Sequence, residues 1–188
     1  MIAPGKFQLV RTCIAKNRYI IISNTFGRTA FMTEIINQEI SIGVPDGFHI
    51  MSKEELTKIY VTNDPNRWGI WDHDRHVIIS ILWQDLNAFT AMLADIDAAA
   101  VKNEQLTKKG YEGHDYVMEG FHDADISGTH ARGYSFTYRI QDIIQHVDTL
   151  LFKVSKRIYS INFIGRSENR EQNQELFEGV LKTVSFLK

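Results

Sequence analysis

Residues 126–188 read ISGTHARGYSFTYRIQDIIQHVDTLLFKVSKRIYSINFIGRSENREQNQELFEGVLKTVSFLK, and their pattern decides the fold. Tyr134, Phe136, Tyr138 and Ile140 alternate with Ser135, Thr137 and Arg139, the period-two signature of a half-buried strand. Gln141-Asp142 begins the return. Leu150, Phe152 and Val154 then alternate with Leu151, Lys153 and Ser155. Lys156-Arg157 turns again, into Tyr159, Ile161 and Phe163 alternating with Ser160 and Asn162. After the polar run SENREQNQE the period changes. Leu176, Phe177, Val180, Leu181 and Val184 fall on one face of a helix. The block therefore predicts three antiparallel strands, an amphipathic helix and a strand-like tail. Tyr134, Phe136, Tyr159 and Phe163 are expected in the core, sealed by Leu176, Phe177 and Val180.

Upstream, residues 111–121 (YEGHDYVMEGF) predict a strand with His114, Tyr116 and Met118 on one face, and HDADISGT a turn. Asn87 to Lys109 predicts the longest helix. Asn87 is its N-cap, Leu86, Phe89, Leu93, Ile96 and Ala100 its buried stripe, and Lys108, Lys109 and Gly110 its end. RWGIWDHDRHVIISILWQ (67–84) predicts a hairpin turning at Asp72 to Arg75. Its second strand is apolar on both faces, which implies a central strand with helices above and below. Ser52 and Glu55 form a capping box that opens a short helix. Val44-Pro45-Asp46-Gly47-Phe48 is a turn with proline at its second position. Residues 30–36 fit a strand or a short helix. Residues 6–14 and 18–23 predict a hairpin, so that 1–37 form a β-hairpin appendage and 38–188 the main α/β/α domain.

The main domain resembles the PsbP-like fold, shared by the photosystem II extrinsic subunit PsbP, the Ran-binding nuclear import factor and bacterial DcrB-like proteins. The residues that carry the resemblance are SIGVPDGF (41–48), ISGTHARGYSFTY (126–138), RIYSINFIGR (157–166) and FEGVLKTVSF (177–186). It implies an α+β chain, a three-layer α/β/α sandwich around a mainly antiparallel sheet. It also implies a binding, chaperone or assembly role without a shared catalytic constellation, although function has to be argued from a site.

Composition narrows the classes further. A formal charge of −2 supplies no global attraction to nucleic acid. The single cysteine, Cys13, excludes an intramolecular disulfide and a zinc site built on paired cysteines. The N-terminus lacks the pattern of a secretory signal, and no stretch approaches the ~18 apolar residues of a membrane span. A cytoplasmic protein without cofactor is the expectation.

Asp and His gather in two turns, Asp72, His73, Asp74 and His76, and His122, Asp123, Asp125 and His130. Turns favour Asp for conformational reasons, and no metal site is expected at either. His146 and Asp148, two apart on a strand, share a face without a visible nucleophile. The expected contact surface for a protein partner is Trp68, Trp71 and His73 on the 66–76 hairpin, with Trp71 facing away from Trp68. The alternative is a small-ligand carrier or enzyme of NTF2-like shape, with a pocket between sheet and long helix lined by Tyr116, Tyr138, His146 and Asp148.

Overall fold

The computed structural model describes residues 19–21, 31–60 and 64–187. The elements are β1 (Tyr19–Ile21), β2 (Phe31–Ile36), β3 (Ile40–Pro45), β4 (His49–Ile50), α1 (Lys53–Tyr60), β5 (Arg67–Asp72) and β6 (Val77–Asp85). Then come α2 (Ala88–Leu93), α3 (Ile96–Gly110), β7 (Val117–Ile126), β8 (Thr129–Ile140), β9 (Ile143–Val154) and β10 (Arg157–Arg166). A 3-10 turn leads into α4 (Arg170–Leu181), and β11 (Ser185–Phe186) closes the chain. The expected 6–14 strand and Cys13 lie outside the described residues. Of the 18–23 strand only β1 is described, and it pairs with β2. Of the ambiguous 30–36 segment the described residues, Phe31–Ile36, form strand β2, which pairs with β3 across the 37/38 boundary.

Seven strands form one antiparallel sheet in the order β4-β5-β6-β10-β9-β8-β7. The meander β8 to β10 is the run of alternating residues within 126–188. The helical connection after β6 carries the chain to the far edge, so that β10 returns beside β6. On one face Ile79, Ile81, Leu150, Phe152, Tyr159, Ile161 and Phe163 pack under Phe177 and Val180 of α4, together with Ile40 and Ile42 of β3. On the other, Tyr134, Phe136, Tyr138, Val147 and Leu151 pack under Ala100 of α3. Each large apolar side chain so buried contributes about 1.5–3 kcal/mol. The three layers are those expected, with a four-stranded sheet, β1-β2-β3-β11, sharing the outer layer with α4. Tyr134 and Phe136 are core residues, but α3 rather than α4 covers them.

Three local expectations are corrected. The long helix breaks at Ala94–Asp95. Asp95 adopts extended geometry and its side chain accepts from the backbone N–H groups of Asp97 and Ala98, starting a second helix. Asn87 does cap the first, accepting from Thr90 N at 2.8 Å. The stripe is consequently split, and Phe89 (69% exposed) and Leu93 (62%) point to solvent. The 111–121 strand starts only at Val117 and runs through the supposed turn to Ile126, reversing at Ser127-Gly128. In the 44–48 turn, Pro45 is the first residue, not the second. Phe48 N donates to Pro45 O, and Gly47 supplies the left-handed φ of +92°. The capping box forms as expected: Ser52 N donates to Glu55 Oε2 at 2.7 Å and Glu55 N to Ser52 Oγ at 3.2 Å.

Candidate functional site

Alternation along β8 and β9 separates the residues of the expected pocket. Tyr138 belongs to the α3 face, with Tyr116 packed against the same cluster. His146 and Asp148 neighbour Val147 but point the other way, beside Ser135, with Arg170 of α4 nearby. The four do not line one pocket.

On the α4 face, His146 is 3% exposed and stands between two carboxylates. Its Nε2 is 3.2 Å from Glu119 Oε2 and its Nδ1 is 3.6 Å from Asp148 Oδ2. The Nε2 contact has ion-pair distance without hydrogen-bond alignment, so Nε2 takes no hydrogen bond. Ser135 Oγ donates to Asp148, and Arg170 grips Glu119 with two bonds of 2.8 and 2.9 Å. Sequence spacing showed His146 and Asp148. Glu119 and Ser135 come from neighbouring strands, and only the register brings them in. The order of contacts is serine to aspartate to histidine, so the imidazole has no direct contact with the hydroxyl and cannot take its proton as a triad base does. This chain of pairs compensates buried charge beside an open groove lined by His122, Arg170, Gln174 and Glu175.

The α3 face holds a cleft of about 440 Å³ between α1, α3 and the sheet. Its floor carries Leu82, Val147, Thr149, Ser160 and Asn162, while Tyr60, Arg67, Asn103, Thr107 and Tyr111 form the walls. Asn162 Oδ1 accepts from Thr149 Oγ1 at 3.0 Å and from Ser160 Oγ at 3.4 Å. Its Nδ2 donors take no partner among the described residues. Arg67 Cζ sits 3.9 Å over the Tyr60 ring, a cation–π contact, and Arg67 Nε is buried with no hydrogen-bond acceptor. Burial raises the pKa of Tyr60 and of Tyr111, so both stay neutral at ordinary pH. Among the described lining residues there is one guanidinium and no carboxylate, histidine or cysteine.

The two Asp/His turns resolve differently from their sequence grouping. Asp72 is buried as a turn residue, its Oδ1 accepting from the N–H groups of Asp74 and Arg75 and its Oδ2 pairing with Arg75 at 3.2 Å. Asp74 and His76 are exposed. His122 faces the α4 groove, whereas Asp123 and His130 meet Asp97 of α3 on the opposite side. There Arg132 bonds Asp123 at 2.8 Å and holds its carboxyl below the usual range, and His130 bonds Asp97 at 3.1 Å. Asp125 accepts from Gly128 N as a turn residue. Trp68 packs against the α4-face core. Trp71, on the other face as expected, lies against His49 and His73, its ring centroid 3.7 Å from that of His73.

Comparison with solved structures assigns the architecture. Cyanobacterial PsbP (CyanoP) from Synechocystis sp. PCC 6803 superposes with a TM-score of 0.65 at 9% identity, over 88% of this chain and 98% of that one. The fold is PsbP-like. LpqN, involved in cell envelope biogenesis of Mycobacterium tuberculosis, matches with a TM-score of 0.55 at 12% identity, over 79% of this chain and 83% of that one. No family model and no curated protein matches the sequence. At these identities the PsbP-like likeness is one of fold. Among the described residues no helix is long and apolar enough to cross a membrane.

Proposed function

We propose that this PsbP-like chain is a binding protein and not a catalyst, and that the cleft between α1 and α3 receives a small molecule with one negative charge on an apolar body. The observation that carries the reading is Arg67. Its buried Nε lacks an acceptor in a cleft whose described lining has no carboxylate. The guanidinium lines a cleft that offers it no counter-charge among the described residues, and a ligand carboxylate would supply one. Asn162 Nδ2 and the neutral Tyr111 hydroxyl are further donors, whereas the Tyr60 hydroxyl already donates to Ser80 Oγ at 2.7 Å. Leu82, Phe136, Val147 and Ile164 offer apolar contact. Nothing in this lining pairs a nucleophile with a base.

The test is calorimetric titration of the full chain with a panel of aliphatic and aromatic monocarboxylates and their matched amides. One or more acids are expected to bind while the amides do not. A charge-assisted hydrogen bond is worth about 1.5–3 kcal/mol, so Arg67→Met should weaken the acid roughly 10- to 100-fold. Acids and amides binding alike, or an Arg67→Met variant binding as tightly as the parent, would overturn the reading.

A second reading, contact with a protein partner through the 66–76 hairpin, draws on Trp71 and His73, whose rings meet at a tilt of 33° beside His49. Trp68, packed on the core, would take no part. Substituting Trp71 and His73 should then abolish capture of a specific partner and leave ligand binding in the cleft intact.

A further inference from the structure

We propose that His49, Glu55 and His73 form a binding site for a divalent transition metal ion of the zinc class. Three separate elements deliver them: β4, the first turn of α1, and the β5–β6 turn. Their candidate ligand atoms lie within 4.8 Å of one another. His49 Nε2 is already 3.1 Å from Glu55 Oε1. Zinc bonds of ~2.0–2.2 Å to nitrogen and oxygen set tetrahedral ligand atoms roughly 3.3 Å apart, so the His49–Glu55 edge is at ligation distance. His73 is exposed, and ligation requires its ring to turn out of its parallel stack on His49.

Glu55 is held for this task. Its Oε2 accepts from the Ser52 N–H in the capping box, which fixes the carboxylate and leaves Oε1 toward His49. Outer contacts of this kind orient ligands and raise affinity. The two imidazoles stand parallel, with ring centroids 4.9 Å apart and an interplanar angle of 2°, and Trp71 backs His73. Two imidazole nitrogens and one carboxylate oxygen suit zinc and its neighbours. They do not suit calcium or magnesium, which prefer shells of oxygen. Three protein ligands leave a fourth position for water or an incoming ligand. The other three-residue cluster among the described residues, Asp97, Asp123 and His130, differs in a decisive way, because the Arg132 guanidinium already neutralises Asp123. This site is separate from the Arg67 cleft, and each proposal stands or falls without the other.

The full chain, freed of metal with EDTA, is titrated with Zn2+ by calorimetry, with Mg2+ and Ca2+ as controls and thermal unfolding as a second readout. One zinc ion per chain is expected to bind and raise Tm, with no comparable effect of Mg2+ or Ca2+. His73→Ala should weaken zinc binding roughly tenfold or more, in line with the cost of disturbing a metal site. His73 is exposed, so the variant should keep the parent's metal-free Tm, which separates loss of a ligand from loss of fold. His130→Ala should bind zinc as the parent does. Unchanged zinc affinity in the His49→Ala, His73→Ala double variant would overturn the proposal, as would equal binding of Ca2+ or transfer of the loss to His130→Ala.

Discussion

Two glycine-to-alanine substitutions should move stability in opposite directions. At Gly133, in the middle of β8, an added methyl would lie 2.5 Å from Leu150 Cδ2, 2.5 Å from His122 Nε2 and 2.8 Å from the Thr149 carbonyl oxygen. Leu150 is 2% exposed, and the carbonyl belongs to the neighbouring strand, so neither can retreat freely. Overpacking of this kind costs about 1–3 kcal/mol, against a return of about 0.5–1 kcal/mol for replacing a flexible glycine within a strand. At mid-range the net loss is about 1 kcal/mol. At ~2–4 °C per kcal/mol for a domain of this size, Tm falls by roughly 2–4 °C. At Gly110, the last residue of α3, the same methyl meets nothing within 4 Å. There alanine restricts the unfolded chain without a native cost, a gain of about 0.4–1 kcal/mol. The unfolded-state contribution is common to both variants, so their difference reports native crowding alone. Differential scanning calorimetry of the pair reads it directly. A Gly133→Ala protein as stable as the parent would refute the close approach of β8 to His122 and Leu150, and with it the placement of His122 on the α4 face.

Asp95→Ala removes the acceptor for two helix-starting N–H groups and should cost about 0.5–2 kcal/mol in urea unfolding, with Asp95→Asn retaining most of the stability. Equal midpoints for parent and alanine variant would mean that α2 and α3 form one helix after all. Alkaline unfolding should begin only above pH 10. Burial, and then the bond to Glu39, push the Tyr159 phenol up from 10.0 to about 12, and burial raises Tyr60, Tyr111, Tyr134 and Tyr138 as well. A pKa raised on folding gives stability that is complete below the unfolded value and is lost as pH climbs toward the folded one. Tyrosinate absorbance from these side chains should therefore appear together with loss of near-ultraviolet circular dichroism. Complete ionisation in the folded protein would contradict their burial.

The parts of the fold legible in the sequence are those set by local periodicity. The alternation from Tyr134 to Phe163 and the two-sided apolar run of β6 specify strands, and strands buried on both faces require two outer layers. Periodicity misled at Asn87 to Lys109, because a helical stripe can continue across a break. Asp95 is a cap as well as a tolerable helix residue, and its local bonds to Asp97 and Ala98 won over helix continuation. Phe89 and Leu93 then rotate off the line that Ala100 follows into the core. The His49, Glu55 and His73 group was not legible at all. Its members lie on three elements whose approach depends on the β4–β5 pairing and on where α1 starts.

The separation of His146 and Asp148 from Tyr138 is different, because the information was present in one turn. Gln141-Asp142 is a two-residue loop with Gln141 at φ +55°, so Ile140 pairs with Ile143. Counting back from that pair sets every even-numbered residue of β8 opposite an odd-numbered residue of β9. Tyr138 therefore faces Gln145, and Thr137 faces His146. Residues paired across an antiparallel ladder share a face, which puts Tyr138 with Val147 under α3 and His146 with Ser135 under α4. The loop thus sets β8 against β9, while the pairing of β9 with β10 holds Leu150 and Phe152, and with them His146 and Asp148, on the α4 face. Tyr138 and His146 are therefore kept on opposite faces by two registers together, β8 on β9 and β9 on β10.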